Sequence, residues 1–308
     1  MKLKNTTISE DLERWIEAYL KHIQALSYSN NTSLLYRRIL LEFVEYSLDY
    51  QDEMQINDIK MTFLVNFLNY LENNSKNGNK LSKKTKITYL RVLTSFFSFI
   101  SDNNDDLFVF SFDMKKIRFR TEKSEEKLNY LNENEIIRLN NVLEKEKVYN
   151  SFRNSLLIKL MLYGGLRISE ALNVKLCDFE EVDDEILKIS IIGNGGKEQF
   201  AFIKKEEVDD ELEYFKENIQ DSDYIMQTST GKHLNRSNAF LIVNNIYAKA
   251  LISKKGLHLL RHTLAMRLTA KGTNLVVIQK ILRHANLNTT TIYAKATNDT
   301  IKTALLNN

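Results

Sequence analysis

Apolar residues recur at helical spacing through four segments at the start of the chain. The first segment shows the pattern clearly, because Leu12, Trp15, Ile16, Tyr19 and Ile23 share one helical face. Polar turn residues separate the segments. The predicted helix starts are Ser9, positions 27–31, positions 57–58 and Ser82. Four amphipathic helices joined by short polar turns predict a small helical bundle.

Helical spacing returns in the second half of the chain. Asn132 and Glu135 form a capping-box pattern, in which each side chain accepts a backbone N–H of the helix start. The next helix is strongly apolar and stops at Gly164-Gly165. The helices predicted after the capping box span about 151–163, 204–223, 235–251, 258–271 and 275–282, with a short one around Tyr293.

The hydrophobic period changes between positions 178 and 203. Apolar residues there alternate with polar ones, which predicts strands at 186–192 and 198–203. The glycine-rich segment 193–197 between them is typical of a hairpin loop. We therefore expect a mainly α fold that contains a small β-hairpin or sheet.

The chain has 308 residues, enough for two domains that each bury a core. Acidic residues and then alternating charges fill the middle of the sequence, which favours a connecting segment there. We predict a helical domain at 1–105, a linker at 106–128 and a second domain at 129–308.

Composition indicates in which cellular compartment the protein is expected. Cys177 is the only cysteine, so no disulfide can form within the chain, and we expect a cytoplasmic protein. The first residues lead into polar positions without an apolar stretch, so no secretory signal is predicted. No apolar run approaches the roughly 18 residues that span a bilayer, and no membrane partner is expected.

Positive charge is concentrated near the end of the sequence. The whole chain carries a net charge of only +3, yet positions 224–298 contain eleven Lys and Arg and no Asp or Glu. Such a segment repels itself unless something anionic lies across it, and a polyanion is the obvious candidate. The alternative is a solvated lysine-rich face, which normally carries interleaved carboxylates. Lys254 and Lys255 are adjacent candidates for DNA contact within this run.

A second basic run lies at the start of the fourth predicted helix. Positions 76–91 hold six cations and no acid, at a helix N-terminus where backbone N–H groups also point outward. This arrangement suits a phosphate backbone, and the alternative is a merely soluble helix end. The predicted DNA-contacting residues of this run are Lys80, Lys83, Lys84, Lys86 and Arg91.

The candidate chemistry consists of cations, histidines and a tyrosine. The sequence has no phosphate-binding loop of the nucleotide hydrolases and no Cys/His cluster at metal-ligand spacing. His258 and Arg261 are three residues apart and share a helical face, although a buried salt-bridged histidine is a common alternative. The glycines at 164–165 place Arg167 at the next turn, and an ordinary interhelix turn would do the same.

Two further residues become candidates through their surroundings. Lys197 lies in the glycine-rich hairpin loop, where it could be a plain exposed lysine or could reach into a groove. Tyr293 lies near the end of the acid-free run at 224–298. A phenol with a pKa near 10 attacks poorly unless positive charge surrounds it, and tyrosine at helical spacing is otherwise a core residue. Positive side chains around an attacking oxygen suit phosphoryl transfer.

Taken in order, these elements resemble the tyrosine recombinase (phage-integrase) family. The resemblance rests on Gly165-Leu166-Arg167-Ile168-Ser169-Glu170-Ala171-Leu172, His258-Leu259-Leu260-Arg261-His262, and Leu282-Arg283-His284-Ala285 through Ile292-Tyr293. Two positions depart from the family pattern. Leu257 stands where members often have a proline, and Arg283 stands where most have a glycine before the histidine.

The resemblance implies the identity of both domains and the central reaction. Residues 1–105 would form a SAM-like core-binding domain and 129–308 the catalytic domain, and the two would clamp duplex DNA. Tyr293 would attack the scissile phosphate, leaving a 3′-phosphotyrosyl link and a free 5′-hydroxyl. Arg167 and Arg261 would hold the non-bridging oxygens, and His284 would donate a further hydrogen bond.

The resemblance also implies supporting roles. Lys197 matches the hairpin lysine that protonates the leaving 5′-oxygen. His258 matches a position with proton-transfer and structural duties, and Glu170 matches an acid that orients the arginine and histidine. The energy of the broken bond stays in the covalent link, so neither ATP, metal nor any other cofactor is implied.

The implied partners are duplex DNA with inverted half-sites and three further copies of the chain. The resemblance implies a homotetramer on two DNA sites and a monomer or weak dimer when free. An apolar stripe in 301–306 would pack on a neighbouring protomer, and docking on its own subunit is the alternative. The compact length most resembles Xer-type recombinases that resolve chromosome dimers, with a septal DNA translocase as a partner. A mobile-element integrase and, less closely, a type IB topoisomerase are alternatives.

Overall fold

The computed structural model divides the chain into two compact units, Met1–Glu125 and Glu126–Asn308. The structure describes residues 1–3, 6–74, 80–113, 117, 119, 129–144, 149–193, 196–220, 223–228 and 230–283. Both units are mainly helical, and the second also contains a small sheet. This confirms the expected mainly α fold class.

The described residues of the first unit form four α-helices around an aromatic core. They are α1 (Ile8–Ala25), α2 (Asn30–Ser47), α3 (Met61–Asn73) and α4 (Lys83–Asn103). Ser29 and Ser82 cap α2 and α4, as the polar breaks predict, because each side chain accepts a backbone N–H from the first turn. The largest buried side chains include Trp15, Phe43 and Phe97. Packed rings of this size account for much of the apolar area that holds the bundle together.

Two predicted helix starts were wrong by a few residues. The N-cap of α1 is Thr7 rather than Ser9, because Thr7 and Glu10 close a reciprocal capping box. The pair at 57–58 belongs to a short 3-10 helix, Ile56–Asp58, instead of capping α3. The Asp58 carboxylate accepts the Gln55 N–H at 2.9 Å and so closes its own single turn.

Part of the predicted linker is packed onto the first unit. Phe110 and Phe112 lie 4.8 and 5.3 Å from Phe97, measured between ring centroids. Phe110 is buried there. Phe110 and Phe112 therefore extend the bundle core, and the limits of the linker at 106–128 stay a prediction.

The second unit is built around one buried helix, α6. Its elements are α5 (Glu133–Leu143), α6 (Tyr149–Leu162), α7 (Ile168–Leu172), β1 (Phe179–Glu181), β2 (Ile186–Ile192), β3 (Glu198–Lys204), α8 (Asp209–Asn218), α9 (Arg236–Lys249), α10 (His258–Ala270) and α11 (Leu275–Ile281). Helices α5, α7, α8, α9 and α10 all contact α6. The Asn132–Glu135 capping box at the start of α5 is confirmed. The short helix predicted around Tyr293 lies outside the described residues.

The sheet is antiparallel with the order β1-β2-β3. The predicted hairpin is confirmed, with Ile189 opposite Ala201 and Ile192 opposite Glu198. Leu187, Ile189 and Ile191 alternate toward the core, as period-two patterning requires. Strand β1 was not predicted, because three residues are too few to show alternation. The hairpin presents its loop, including Lys197, at the exposed end of β2 and β3.

Among the described residues, no helix is long and apolar enough to cross a membrane. The single cysteine, Cys177, is exposed and reduced.

Candidate active site

The turn that follows α6 is fixed by two glycines. Gly165 adopts φ +62°, a left-handed conformation that favours glycine. A Cβ at Gly165 would also lie 2.9 Å from Cδ2 of Leu264 on α10. The apolar run of α6 thus ends where a left-handed glycine can turn the chain against α10. The turn brings Arg167 to the first position before α7.

Arg167 is held by its own turn and by a distant backbone carbonyl. Its Nη1 donates to Oε1 of Glu170 at 2.7 Å, and its Nη2 donates to the carbonyl oxygen of Arg283 at 2.8 Å. The side chain is 28% exposed, so one side of the guanidinium still faces solvent. A guanidinium that is fixed at two corners and open on the rest is suited to clamp a phosphate oxygen.

Glu170 is a buried carboxylate shared by two arginines. Its Oε2 accepts the Arg167 backbone N–H at 2.7 Å and Nη2 of Arg283 at 2.9 Å. Burial alone would raise the pKa of Glu170. The Arg167 hydrogen bond and the Arg283 charge outweigh that effect, so the pKa lies below its usual 4.5. Because it stays ionised and engaged, Glu170 orients arginines and is unsuited to act as a general base.

Arg261 lies on α10 with its side chain buried. Its Nη1 donates to the carbonyl oxygen of Gly165, and its Nη2 donates to that of Leu282. Arg261 therefore contacts the glycine turn that leads to Arg167. The two arginines also donate to consecutive carbonyls, Arg261 to that of residue 282 and Arg167 to that of residue 283. The structure brings the two predicted phosphate-binding arginines and Glu170 into one network.

His258 is the first residue of α10, three positions before Arg261, and it is exposed. Partial burial of the ring and the nearby charges of Arg236, Arg261 and Arg167 lower the pKa of His258 below 6.5. The imidazole is therefore mostly neutral at pH 7, when it can accept a proton. It lines a cleft of about 590 Å³ together with Arg236 and Phe240.

Lys197 is exposed in the hairpin loop. Its carbonyl oxygen accepts the Gly193 N–H at 2.8 Å, which closes the loop and leaves the ammonium group at the surface. The predicted His284 and Tyr293 lie outside the described residues, as does the apolar stripe in 301–306. Their roles stay predictions.

The predicted DNA-contacting cations fall into two groups. Lys86 forms a salt bridge with Glu72 at 2.8 Å, and Lys254 donates to Glu135 and to the Tyr130 carbonyl. These two cations stabilise their own units. The remaining members of the set are exposed and form no salt bridge among the described residues: Lys80, Lys83, Lys84, Arg91 and Lys255.

Arg283 is a member of the site that the sequence reasoning did not assign. Its guanidinium is buried and bridges Glu170 and the Gly165 carbonyl. The only signal in the sequence was its place in a position where most family members have glycine.

Among the described residues, no group of His, Cys, Asp and Glu could hold a metal ion.

The arginine network should contribute to the free energy of unfolding. Glu170→Gln should lower the free energy of unfolding by about 3 kcal/mol, because it leaves two guanidiniums without their buried counter-charge. Because the pKa of Glu170 is lowered, this stabilisation is fully present above about pH 4.5 and is lost as the pH falls through the lower pKa of the folded state. Urea unfolding at pH 7 and at a series of lower pH values would measure both effects.

The matched control is Glu206→Gln. Glu206 pairs with Lys204 at 2.9 Å, but both side chains are more than 60% exposed. This pair should contribute no measurable stability. Equal effects of the two substitutions would contradict the importance of the buried network.

Comparison with known proteins supports the same assignment. The sequence model of the Phage integrase family matches residues 129–299, and that of the Phage integrase SAM-like domain matches residues 11–98. Tyrosine recombinase XerH of Campylobacter jejuni subsp. jejuni is 32% identical over 232 residues, which cover 73% of this chain and 65% of the relative. Tyrosine recombinase XerC of Staphylococcus aureus is 27% identical over 298 residues, which cover 94% of this chain and 95% of the relative.

Solved structures share the fold. A crystal structure of XerH site-specific recombinase bound to difH substrate, a pre-cleavage complex, has a TM-score of 0.78 at 24% identity and covers 95% of this chain and 96% of that one. The Tn1549 transposon integrase in complex with circular intermediate DNA has a TM-score of 0.70 at 18% identity, over 98% of this chain and 99% of that one. The family match spans more than half of the sequence. The chain belongs to the phage integrase (tyrosine recombinase) family of DNA breaking–rejoining enzymes.

Proposed function

We propose that this chain is a site-specific recombinase that cleaves and rejoins duplex DNA through a tyrosine-linked intermediate. The observation that carries the proposal is the network of Arg167, Glu170 and Arg261 around the Gly165 turn. Two guanidiniums anchored to backbone carbonyls form a rigid, cationic cradle for one phosphate. Because the Glu170 carboxylate only orients arginines, another oxygen must attack the phosphate.

In this mechanism Tyr293 supplies that oxygen. Its phenolate attacks the scissile phosphorus, forming a P–O bond to tyrosine and breaking the P–O bond to the 5′-oxygen. Arg167 and Arg261 hold the two non-bridging oxygens, and His284 donates a third hydrogen bond. Lys197 protonates the departing 5′-oxygen. His258, neutral at pH 7, accepts the phenol proton directly or through water. Attack by a second 5′-hydroxyl reverses the step and rejoins the strands.

The DNA partner is proposed to be a duplex with inverted half-sites, bound by four copies of the chain on two sites. The neighbours XerH and Tn1549 integrase were solved with DNA, which supports a duplex substrate. Two exposed basic surfaces support it independently. One is the start of α4, at Lys83 and Lys84, and the other is the cleft lined by Lys255 and Arg236.

The biological role is proposed to be Xer-type resolution of chromosome dimers, with a septal DNA translocase as activating partner. Curated relatives named XerH and XerC support this role, and the chain spans 95% of the length of XerC but only 65% of that of the C. jejuni XerH. The second candidate is integration and excision of a mobile element, supported by the fold shared with Tn1549 integrase.

The test of the proposed function uses a duplex with a nick just beside the cleavage site, so that the 5′-hydroxyl fragment diffuses away. The chain should accumulate as a covalent protein–DNA adduct that survives detergent. With two intact target sites it should exchange strands between them. Relaxation of supercoils without exchange would favour a topoisomerase, and failure to form any adduct would refute the proposal.

Salt dependence provides a separate prediction about the first unit. Replacing Lys80, Lys83 and Lys84 together with Gln should weaken DNA binding and reduce the slope of log Kd against log salt by about 2–3, because each phosphate contact contributes about 0.9. Titrations at several salt concentrations would measure the slope.

The control replaces three lysines that already have carboxylate partners. Lys188, Lys204 and Lys205 pair with acids at 2.5–2.9 Å, and their substitution by Gln should leave the slope unchanged. If both triple variants changed the slope equally, the α4 surface would not be the binding surface.

A further inference from the structure

Arg283 occupies a position whose backbone is costly for any residue except glycine. Its φ is +52°, in the left-handed region, where the Cβ of an L-residue crowds the following carbonyl. The next residue in the chain is His284. A glycine here would adopt the same conformation without strain.

The side chain is also costly to place. The Arg283 guanidinium is only 6% exposed, and burial lowers its pKa even though Glu170 counteracts the effect. Among the described residues, its Nε has no hydrogen-bond partner. A strained backbone and a buried charge at one residue both cost stability, which points to the contacts of the arginine side chain as the feature that compensates for them.

Those contacts join two parts of the site that are far apart in sequence. Nη2 donates to Glu170 Oε2 at 2.9 Å and to the Gly165 carbonyl at 3.0 Å, while Nη1 donates to the Ile281 carbonyl at 2.9 Å. In return, the carbonyl oxygen of Arg283 accepts Nη2 of Arg167 at 2.8 Å. The side chain thus pins the Gly165 turn, and the main chain pins Arg167.

We propose that Arg283 is a positioning residue for DNA cleavage, a role that rests on the proposed function above. Its contacts fix the backbone at 281–283 against the turn that carries Arg167. Through Glu170 they also hold the Arg167 guanidinium in one orientation. Arg283 touches neither DNA nor the reacting atoms in this role, and it acts only by placing the residues that do.

If Arg283 has this role, its substitution should slow DNA cleavage without weakening DNA binding. Arg283→Gly relieves the backbone strain but releases both the Glu170 contact and the Gly165 contact. Cleavage of the nicked duplex at saturating DNA should fall by about 100-fold, the scale expected when a catalytic group shifts by about 1 Å. The Kd for DNA should change by less than about threefold, because exposed lysines supply the phosphate contacts.

Arg283→Lys is the conservative variant. It keeps a charge near Glu170 but loses the planar fork that reaches two carbonyls at once. Its cleavage rate should lie between those of Arg283→Gly and the wild type, about tenfold below the latter. Lys216→Ala, which removes an exposed cation of α8 outside both basic runs, is the control and should cleave at the wild-type rate.

The experiment measures single-turnover adduct formation at saturating DNA, Kd and thermal unfolding for each variant. A slow, fully folded Arg283→Gly with unchanged Kd supports the proposal. An Arg283→Gly that cleaves at the wild-type rate per folded molecule overturns it, even if its melting temperature falls. A wild-type chain without any adduct would instead overturn the proposed function, and the inference with it.

Discussion

Tyr293→Phe is expected to form no covalent adduct with a nicked duplex while still binding it. The substitution removes only the attacking oxygen, and loss of a covalent nucleophile typically lowers turnover by about a millionfold. The arginine cradle is unchanged, so the Kd for DNA should remain within about threefold of the wild type. Gel separation in detergent measures the adduct, and a binding titration measures the Kd.

The matched control for this prediction is Tyr224→Phe. Tyr224 lies at the start of the same acid-free stretch and is exposed, with its ring near Lys175 and His233. Phenylalanine keeps that ring, so adduct formation should be unaffected. An adduct that persists in Tyr293→Phe, or disappears in Tyr224→Phe, would contradict the choice of nucleophile.

Arg261→Lys is the second substitution with a large expected effect. Lysine carries its donors on one nitrogen, so it lacks the planar fork whose two terminal nitrogens let Arg261 donate to the Gly165 and Leu282 carbonyls. Cleavage at saturating DNA should fall by about 100- to 1,000-fold, as when one oxyanion donor is lost. The free energy of unfolding should also fall by about 1–3 kcal/mol, because a buried carbonyl loses its donor.

Arg267→Lys is the control for Arg261→Lys on the same helix. Arg267 pairs with Glu133 at 3.0 Å and is 29% exposed, so a lysine can keep most of that interaction. Rate and stability should both stay close to the wild-type values. If Arg267→Lys were as damaging as Arg261→Lys, the effect would reflect α10 as a whole rather than the phosphate cradle.

Features that depend on neighbouring residues could be predicted from the sequence. Ser82 and Asn132 cap helices through bonds to residues three positions away, and both starts were visible in the sequence. Thr7 and Ser9 are equally good caps in isolation. The reciprocal bond from Glu10 decides between them. Strand β1 is held by its pairing to β2, with Phe179 opposite Ile189, and has too few residues for a pattern of its own.

Long-range contacts account for what the sequence could not reveal. A run of lysines looks uniformly available, but Lys86 and Lys254 are paired with Glu72 and Glu135 from other helices. The family motifs indicated Arg167, Glu170 and Arg261, because those positions carry the resemblance. Arg283 could be identified only in three dimensions, since its partner Glu170 lies 113 residues earlier.

In the proposed reaction, Tyr293 becomes joined to the 3′ end of cleaved DNA. Digesting the trapped adduct with protease and nuclease and identifying the modified peptide by mass spectrometry tests this link. We expect a nucleotide attached through its 3′-phosphate to the tyrosine of the peptide around Tyr293, with a free 5′-hydroxyl on the other DNA fragment. A link to another residue, or a 5′-phosphate on the protein, would contradict it.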